Sequence, residues 1–165
     1  DGEIYIASEP GQGTTVKIYL PRVEAVSVAA TPAPPSAIIS RGAETIMLAE
    51  DEIGVRKLVR HVLEHAGYTV LEAASGPTAL RLAADHASLI HLLLTDVVMP
   101  EMSGPELARQ LTAAQPDLKV LYMSGYTEEA MVHHGVLDPK VTLLQKPFNK
   151  EELVRKVRER LDASQ

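Results

Sequence analysis

The sequence predicts an α/β fold over residues 44–163: a doubly wound parallel sheet of five strands with helices on both faces. Three observations carry that prediction. Strand-like and helix-like segments alternate five times across those residues, the pattern of consecutive βα units. Residues 90–95 are nearly all apolar, as a central parallel strand covered on both faces should be. At 165 residues and 45% hydrophobic, the chain can also bury a sizeable core between helical layers.

Residues 1–22 precede the alternating pattern. Residues 3–7 and 15–20 are β-rich alternating runs separated by the turn-forming Ser8-Glu9-Pro10-Gly11-Gln12-Gly13, which reads as a hairpin. Gly11-Gln12-Gly13-Thr14 looks superficially phosphate-binding, but it lacks the lysine and spacing of a P-loop. Two strands are marginally stable alone in water, so this piece needs a partner sheet. The sequence opens in mid-pattern without an initiator Met, as a segment of a longer protein would. Residues 23–43 are rich in Ala and carry Pro32, Pro34 and Pro35, the composition of an extended or flexible linker.

Within the alternating region, Thr45-Ile46-Met47-Leu48-Ala49 is the first strand. Val55, Leu58, Val59, Val62 and Leu63 then recur at helical spacing, and Gly67 marks that helix's end. Residues 68–72 form the second strand, and a helix over 77–86 starts with Pro77 in its first turn. After the strand at 90–95, Ser103 and Glu106 predict a capping box, with Pro105 early in a helix that runs through Leu111. Residues 119–123, 128–134, 141–144 and 150–161 supply a strand, a short helix, a strand and a last helix. Leu153, Val157 and Leu161 lie on one stripe of that last helix. Right-handed crossovers favour the flavodoxin-like strand order 2-1-3-4-5.

Composition narrows the function. With Lys plus Arg at 16, Asp plus Glu at 22 and a net charge of -6, the chain lacks the broad basic surface of a phosphate-backbone binder. Trp is absent and Phe occurs once, so no stacking platform for single strands is evident, and no nucleic-acid partner is expected. No apolar run approaches the roughly 18 residues of a membrane span, and Asp1-Gly2-Glu3 is no basic leader, so no membrane contact by this segment is expected. The absence of cysteine excludes disulfides, thiolate metal sites and cysteine nucleophiles. His61 and His65 have metal-ligand spacing without a third ligand and read, like His133-His134, as surface residues. No His accompanies a Ser nucleophile in a triad pattern. Arg155, Lys156, Arg158 and Arg160 crowd the last helix, where they suit a helix C-terminus or an acidic partner.

Ligands of open parallel sheets bind at the carboxyl ends of the strands. Those ends carry Glu50-Asp51, Asp96, Ser124 and Lys146-Pro147. Clustered carboxylates resist ionisation unless a cation joins them. A hard divalent ion with oxygen ligands, Mg2+ or Mn2+, is the natural partner. A carboxylate can attack phosphorus to give an acyl phosphate, and Mg2+, Lys146 and the Ser124 hydroxyl are suited to neutralise the phosphoryl oxygens.

These residues, in this order, resemble the receiver domain of two-component response regulators. The matching motifs are Glu50-Asp51, Asp96 within residues 94–104, Ser124-Gly125 and Lys146-Pro147-Phe148. The resemblance implies phosphorelay signalling, with Mg-dependent acceptance of a phosphoryl group from phosphohistidine onto Asp96. It implies that Asp51, Asp96 and the Val98 backbone carbonyl ligate Mg2+, that Glu50 acts through bound water, and that Ser124 and Lys146 bind the phosphoryl oxygens. In the family, phosphorylation draws the hydroxyl residue inward and shifts the face formed by the fourth helix, fifth strand and fifth helix of the domain. Leu143 occupies the position of the usual aromatic switch residue, where no ring can swing inward. Val98 cannot orient an attacking water, which predicts slow autodephosphorylation. Tyr126, two after Ser124, is the candidate to compensate.

The first residues carry a second resemblance. Gly2-Glu3-Ile4-Tyr5-Ile6, residues 8–15 and Ile18-Tyr19-Leu20-Pro21 are similar to the final strands of a histidine-kinase ATPase domain. Together the two resemblances imply a kinase remnant over 1–22, a linker over 23–43 and a receiver domain over 44–163. They imply a hybrid sensor histidine kinase parent, with this segment in the cytoplasm. The phosphoacceptor helix and main nucleotide boxes of a kinase are missing from the chain, so it is expected only to catalyse its own phosphorylation and dephosphorylation. The implied partners are the kinase core of the same parent and a histidine phosphotransfer protein. Two alternatives stay open. One is an aspartate-nucleophile phosphatase, which would want an acid where Val98 stands. The other is a phosphorylation-independent interaction module.

Overall fold

The computed structural model describes residues 2–20, 42–125 and 142–163. They fall in two compact units. The first is a hairpin of β1 (Glu3–Glu9) and β2 (Gly13–Tyr19), antiparallel, with Glu3 opposite Tyr19 and Glu9 opposite Gly13. Gly11 and Gly13 turn the chain with φ of 79° and 87°, a region open to glycine at no steric cost. Cross-strand pairs Ile4–Ile18 and Ile6–Val16 form one apolar face, and all four side chains are exposed.

The second unit is the expected doubly wound sheet. Its elements are β3 (Thr45–Ala49), α1 (Ile53–His65), β4 (Thr69–Ala73), α2 (Gly76–Asp85), β5 (Leu92–Asp96), α3 (Gly104–Ala114), β6 (Lys119–Ser124), β7 (Leu143–Gln145) and α4 (Lys150–Asp162). All pairings are parallel and the order is β4-β3-β5-β6-β7, which is 2-1-3-4-5 counted within the sheet. The helix expected over 128–134 lies outside the described residues, as does Tyr126.

Alternation along the strands builds the two cores. Ile46, Leu48, Leu92, Leu94, Leu121, Met123 and Leu144 face one side, with Val59 and Leu63 of α1 and Leu153, Val157 and Leu161 of α4. Met47, Leu93, Tyr122 and Leu143 face the other, against α2 and α3. Two-sided burial explains why these strands read as continuous apolar runs.

Local signals explain four of the helix ends. The Gly67 N–H donates to Glu64 and the Tyr68 N–H to Leu63, a Schellman closure with Gly67 at φ 98°. Ser75, Ser103 and Asn149 accept from Thr78 N, Glu106 N and Glu152 N as N-caps. The capping box is only half made: Glu106 Oε1 accepts from Arg109 and Gln110 instead of returning to Ser103. Leu58 is a correction to the expected stripe, since it is 58% exposed. It sits about 100° around the helix from Val59, off the buried face.

The basic cluster on α4 is largely committed within the domain. Arg158 pairs with Glu44 and Asp162, Arg155 with Glu159, and Arg160 donates to the Val120 carbonyl. Lys119 Nζ donates to the carbonyls of Leu161 and Ala163 at the helix's C-terminal end, where a cation complements the helix dipole. His61 and His65 are exposed on α1, their rings tilted at 4.1 Å.

Candidate functional site

Four strand ends meet at the carboxyl edge of the sheet. β3 delivers Glu50 and Asp51, β5 ends on Asp96, β6 ends on Ser124, and Lys146 follows β7. One oxygen from each of Glu50, Asp51 and Asp96 lies within 4.8 Å of the others. Lys146 reaches into this cluster, with Nζ 2.7 Å from both Glu50 Oε2 and Asp96 Oδ2. Glu50 is 1% exposed, and the Asp96 and Lys146 side chains are 16% and 20% exposed. Asp51 faces solvent. Residues far apart in sequence are thus brought together as the strand-end pattern predicts.

Backbone N–H groups hold the Asp96 and Glu50 carboxylates, and backbone pairing ties together the strand ends that carry Ser124 and Lys146. The Lys146 N–H donates to the Ser124 carbonyl at 2.7 Å and the Val97 N–H to Met123 at 3.0 Å. Asp96 Oδ1 accepts from the Val98 N–H at 3.2 Å, and Glu50 Oε1 accepts from the Glu52 N–H at 3.3 Å. Ser124 is buried. Leu143 is buried opposite Tyr122 in the β6–β7 register and is part of the core. The Val98 side chain is 64% exposed.

The electrostatics are those of an under-compensated acid cluster. Burial pushes the Glu50 carboxyl above its ordinary value, the Lys146 ammonium pulls it partly back, and the Asp96 charge adds to the rise. Burial alone would lower Lys146, but hydrogen bonds and charge from Asp96 and Glu50 outweigh it and leave the ammonium more basic than usual. Three carboxylates against one ammonium leave two negative charges unbalanced. An all-oxygen donor set with that surplus fits a hard divalent cation and does not fit a soft one.

Residues 46–158 match the response regulator receiver domain family. The chain belongs to this family. The receiver domain is that of two-component phosphorelay systems, and receiver domains bind Mg2+ at an acidic cluster of this kind. Over 168 residues, 98% of the chain, it is 40% identical to the sensor kinase CckA of Brucella abortus, of which it spans 18%. It is 39% identical over 120 residues to the receiver protein CpdR of the same organism, covering 98% of that protein and 72% of this chain. Among solved structures, the receiver domain of the hybrid histidine kinase CckA matches 72% of this chain and 99% of its own, at 35% identity and a TM-score of 0.60. The Vibrio cholerae chemotaxis protein CheY4 matches 72% of this chain and 99% of its own, at 28% identity and 0.61.

Two residues shape the receiver site through its backbone: Gly104, which closes the 94–104 motif without an expected role of its own, and Arg56, which the sequence pattern does not single out. Gly104 opens α3, and its N–H donates to Val97 at 3.0 Å. A Cβ there would overlap the Asp96 carbonyl, so glycine permits the return of the loop behind Asp96. Gly104→Ala is expected to cost about 2 kcal/mol through forced backbone displacement, read as a lower urea midpoint at unchanged slope, with slower phosphate uptake. The second is Arg56 of α1, whose Nη1 donates to the carbonyls of Glu50 and Asp51. A glycine ahead of a helix and an arginine within one are too common to signal these roles from sequence.

Proposed function

We propose that Asp96 accepts a phosphoryl group from a phosphohistidine. The observation that carries this is Lys146 bridging Glu50 and Asp96 at the sheet edge, which leaves a half-buried carboxylate beside a fixed cation. An Asp96 carboxylate oxygen attacks phosphorus, the P–N bond breaks, and the imidazole leaves with its electron pair and takes up a proton. A divalent cation, when bound, offsets charge on the carboxylates and on the phosphoryl oxygens. Asp51, Asp96 and the Val98 carbonyl are its proposed ligands, with Glu50 acting through water. Lys146 then exchanges its Asp96 contact for a phosphoryl oxygen, and the Ser124 hydroxyl takes another. That local change in charge is the input to a two-state shift of the face that includes Leu143 and the last helix.

The parent is proposed to be a hybrid sensor kinase, with residues 1–22 as the end of its ATPase domain and 23–43 as the linker. Similarity to the sensor kinase across 98% of the chain, hairpin included, supports this. The donor is then the kinase core of the same protein or a histidine phosphotransfer protein, in the cytoplasm. Among the described residues no helix is long and apolar enough to cross a membrane.

The test is phosphotransfer from a phosphohistidine donor in Mg2+, followed by intact mass. One phosphoryl group is expected per chain. No uptake would favour a phosphorylation-independent module, and continuous turnover of a phosphomonoester would favour a phosphatase. The exposed Val98 gives a further prediction. Val98→Asn places an amide where water attacks the acyl phosphate and is expected to shorten its lifetime about tenfold, less than a full general base would, because an amide only orients the water. The lifetime is read by mass after removal of the donor.

A further inference from the structure

We infer that Arg56 is a positioning residue for divalent-cation binding, holding the acidic turn in its receptive shape through backbone carbonyls. This rests on the proposed cation site. Arg56 lies one turn into α1, and its Nη1 is 2.6 Å from the Glu50 carbonyl oxygen and 3.1 Å from that of Asp51. One nitrogen therefore bridges the backbone of two adjacent acids whose side chains build the cluster. The helix start needs this tie. Glu52 stands at the N-cap without a side-chain cap bond, and the first turn holds no acid. The turn is also anchored by the Glu50 N–H to Ala73, the Glu52 N–H to Glu50 Oε1 and the Arg56 backbone N–H to the Glu52 carbonyl. None of these three bonds involves Asp51, which is exposed.

Charge and position predict opposite signs. A guanidinium beside the acids repels a dication, so an Arg56 that acted only by charge would weaken cation binding, and its removal would tighten it. An Arg56 that acts by position preorganises the donors, and its removal loosens binding, as loss of groups that orient metal ligands does. Partial exposure screens the charge, while the two hydrogen bonds to carbonyls are geometric. Position is the larger effect.

The test is titration of Mg2+ alone into the full, unphosphorylated chain by calorimetry. Arg56→Met is expected to raise the Mg2+ Kd about tenfold. Arg56→Lys, with a point donor of shorter reach, is expected to recover most of the affinity and to lie within about threefold of the unaltered chain. Arg60→Met is the charge control. Arg60 is one turn on and paired with Glu64 and Glu72, and its removal should leave the Kd unchanged. Thermal melts without Mg2+ establish that each variant folds, and Arg56→Lys carries the test if Arg56→Met does not, through a Kd still above that of the unaltered chain. An Arg56→Met Kd equal to or below the unaltered one overturns the inference alone. Failure of the unaltered chain to bind Mg2+ overturns the site reading and the inference with it.

Discussion

An Asp96→Asn chain is expected to gain no phosphoryl mass under conditions in which the unaltered chain gains one. The amide nitrogen is not a nucleophile toward phosphorus at neutral pH, and loss of a nucleophile costs an enzyme about six orders of magnitude. Folding should survive. Asparagine has the size of aspartate, and its oxygen can keep the bond from the Val98 N–H. The charge-assisted bond from Lys146 to Oδ2 is lost, but Lys146 keeps Glu50. One of three mutually repelling carboxylates is also gone, which lowers the Glu50 pKa, because the Asp96 charge contributes to its rise. The two effects oppose each other, so the unfolding free energy read from urea melts should change by less than about 1 kcal/mol. Mg2+ affinity should fall, since a ligand charge is removed. A phosphoryl group that persisted in Asp96→Asn, mapped by peptide mass to Asp51, would move the acceptor to the neighbouring exposed acid.

The fold was legible because burial on both sheet faces leaves a strong mark. Residues 46–49 and 92–94 are apolar on both parities, as strands covered by helices on both faces must be. The strand ends were less legible. β5, β6 and β7 each run on to a polar residue, Asp96, Ser124 or Gln145, because a parallel ladder pairs backbone and is indifferent to polarity. Glu50, Asp51, Asp96, Ser124 and Lys146 could be assembled from sequence because topology brings strand ends together. Gly104 and Arg56 act on the backbone of those residues rather than on a ligand, and a backbone contact leaves no residue-type signature. Leu58 failed for a geometric reason: from Val55, a three-residue step and a four-residue step fall on opposite sides of a helical stripe, and the side that is covered is that of Val59 and Leu63.

Lys146→Met is expected to destabilise the domain by about 3 kcal/mol at pH 8, the low end for removing one partner of a buried pair, because a fifth of the lysine side chain is exposed. The cost arises at Glu50. Its carboxylate has only 1% of its side chain in contact with water, and Lys146 both hydrogen-bonds it and lowers its pKa. Without the ammonium, burial and the Asp96 charge drive the Glu50 pKa further above the ordinary 4.5. A carboxyl with a raised folded pKa binds its proton more tightly folded than unfolded. Its contribution is therefore fully present below about 4.5 and is lost as pH rises through the folded value. Lys146, whose own pKa is raised above 10.5, makes a contribution that is intact below that value and lost only as pH climbs past it. Between pH 5 and pH 8 the unaltered chain thus loses only the modest Glu50 contribution, whereas Lys146→Met should lose much more. Urea midpoints at the two pH values measure this difference. Mg2+ should reverse the effect, since the variant has three carboxylates with no competing ammonium. A hundredfold excess over Kd adds about 2.7 kcal/mol, nearly the whole deficit. Restored stability with no phosphate uptake would separate the two tasks of Lys146, charge balance in the resting cluster and contact with the phosphoryl oxygens. A Lys146→Met chain as stable at pH 8 as at pH 5, and indifferent to Mg2+, would mean that Glu50 is not held ionised by Lys146.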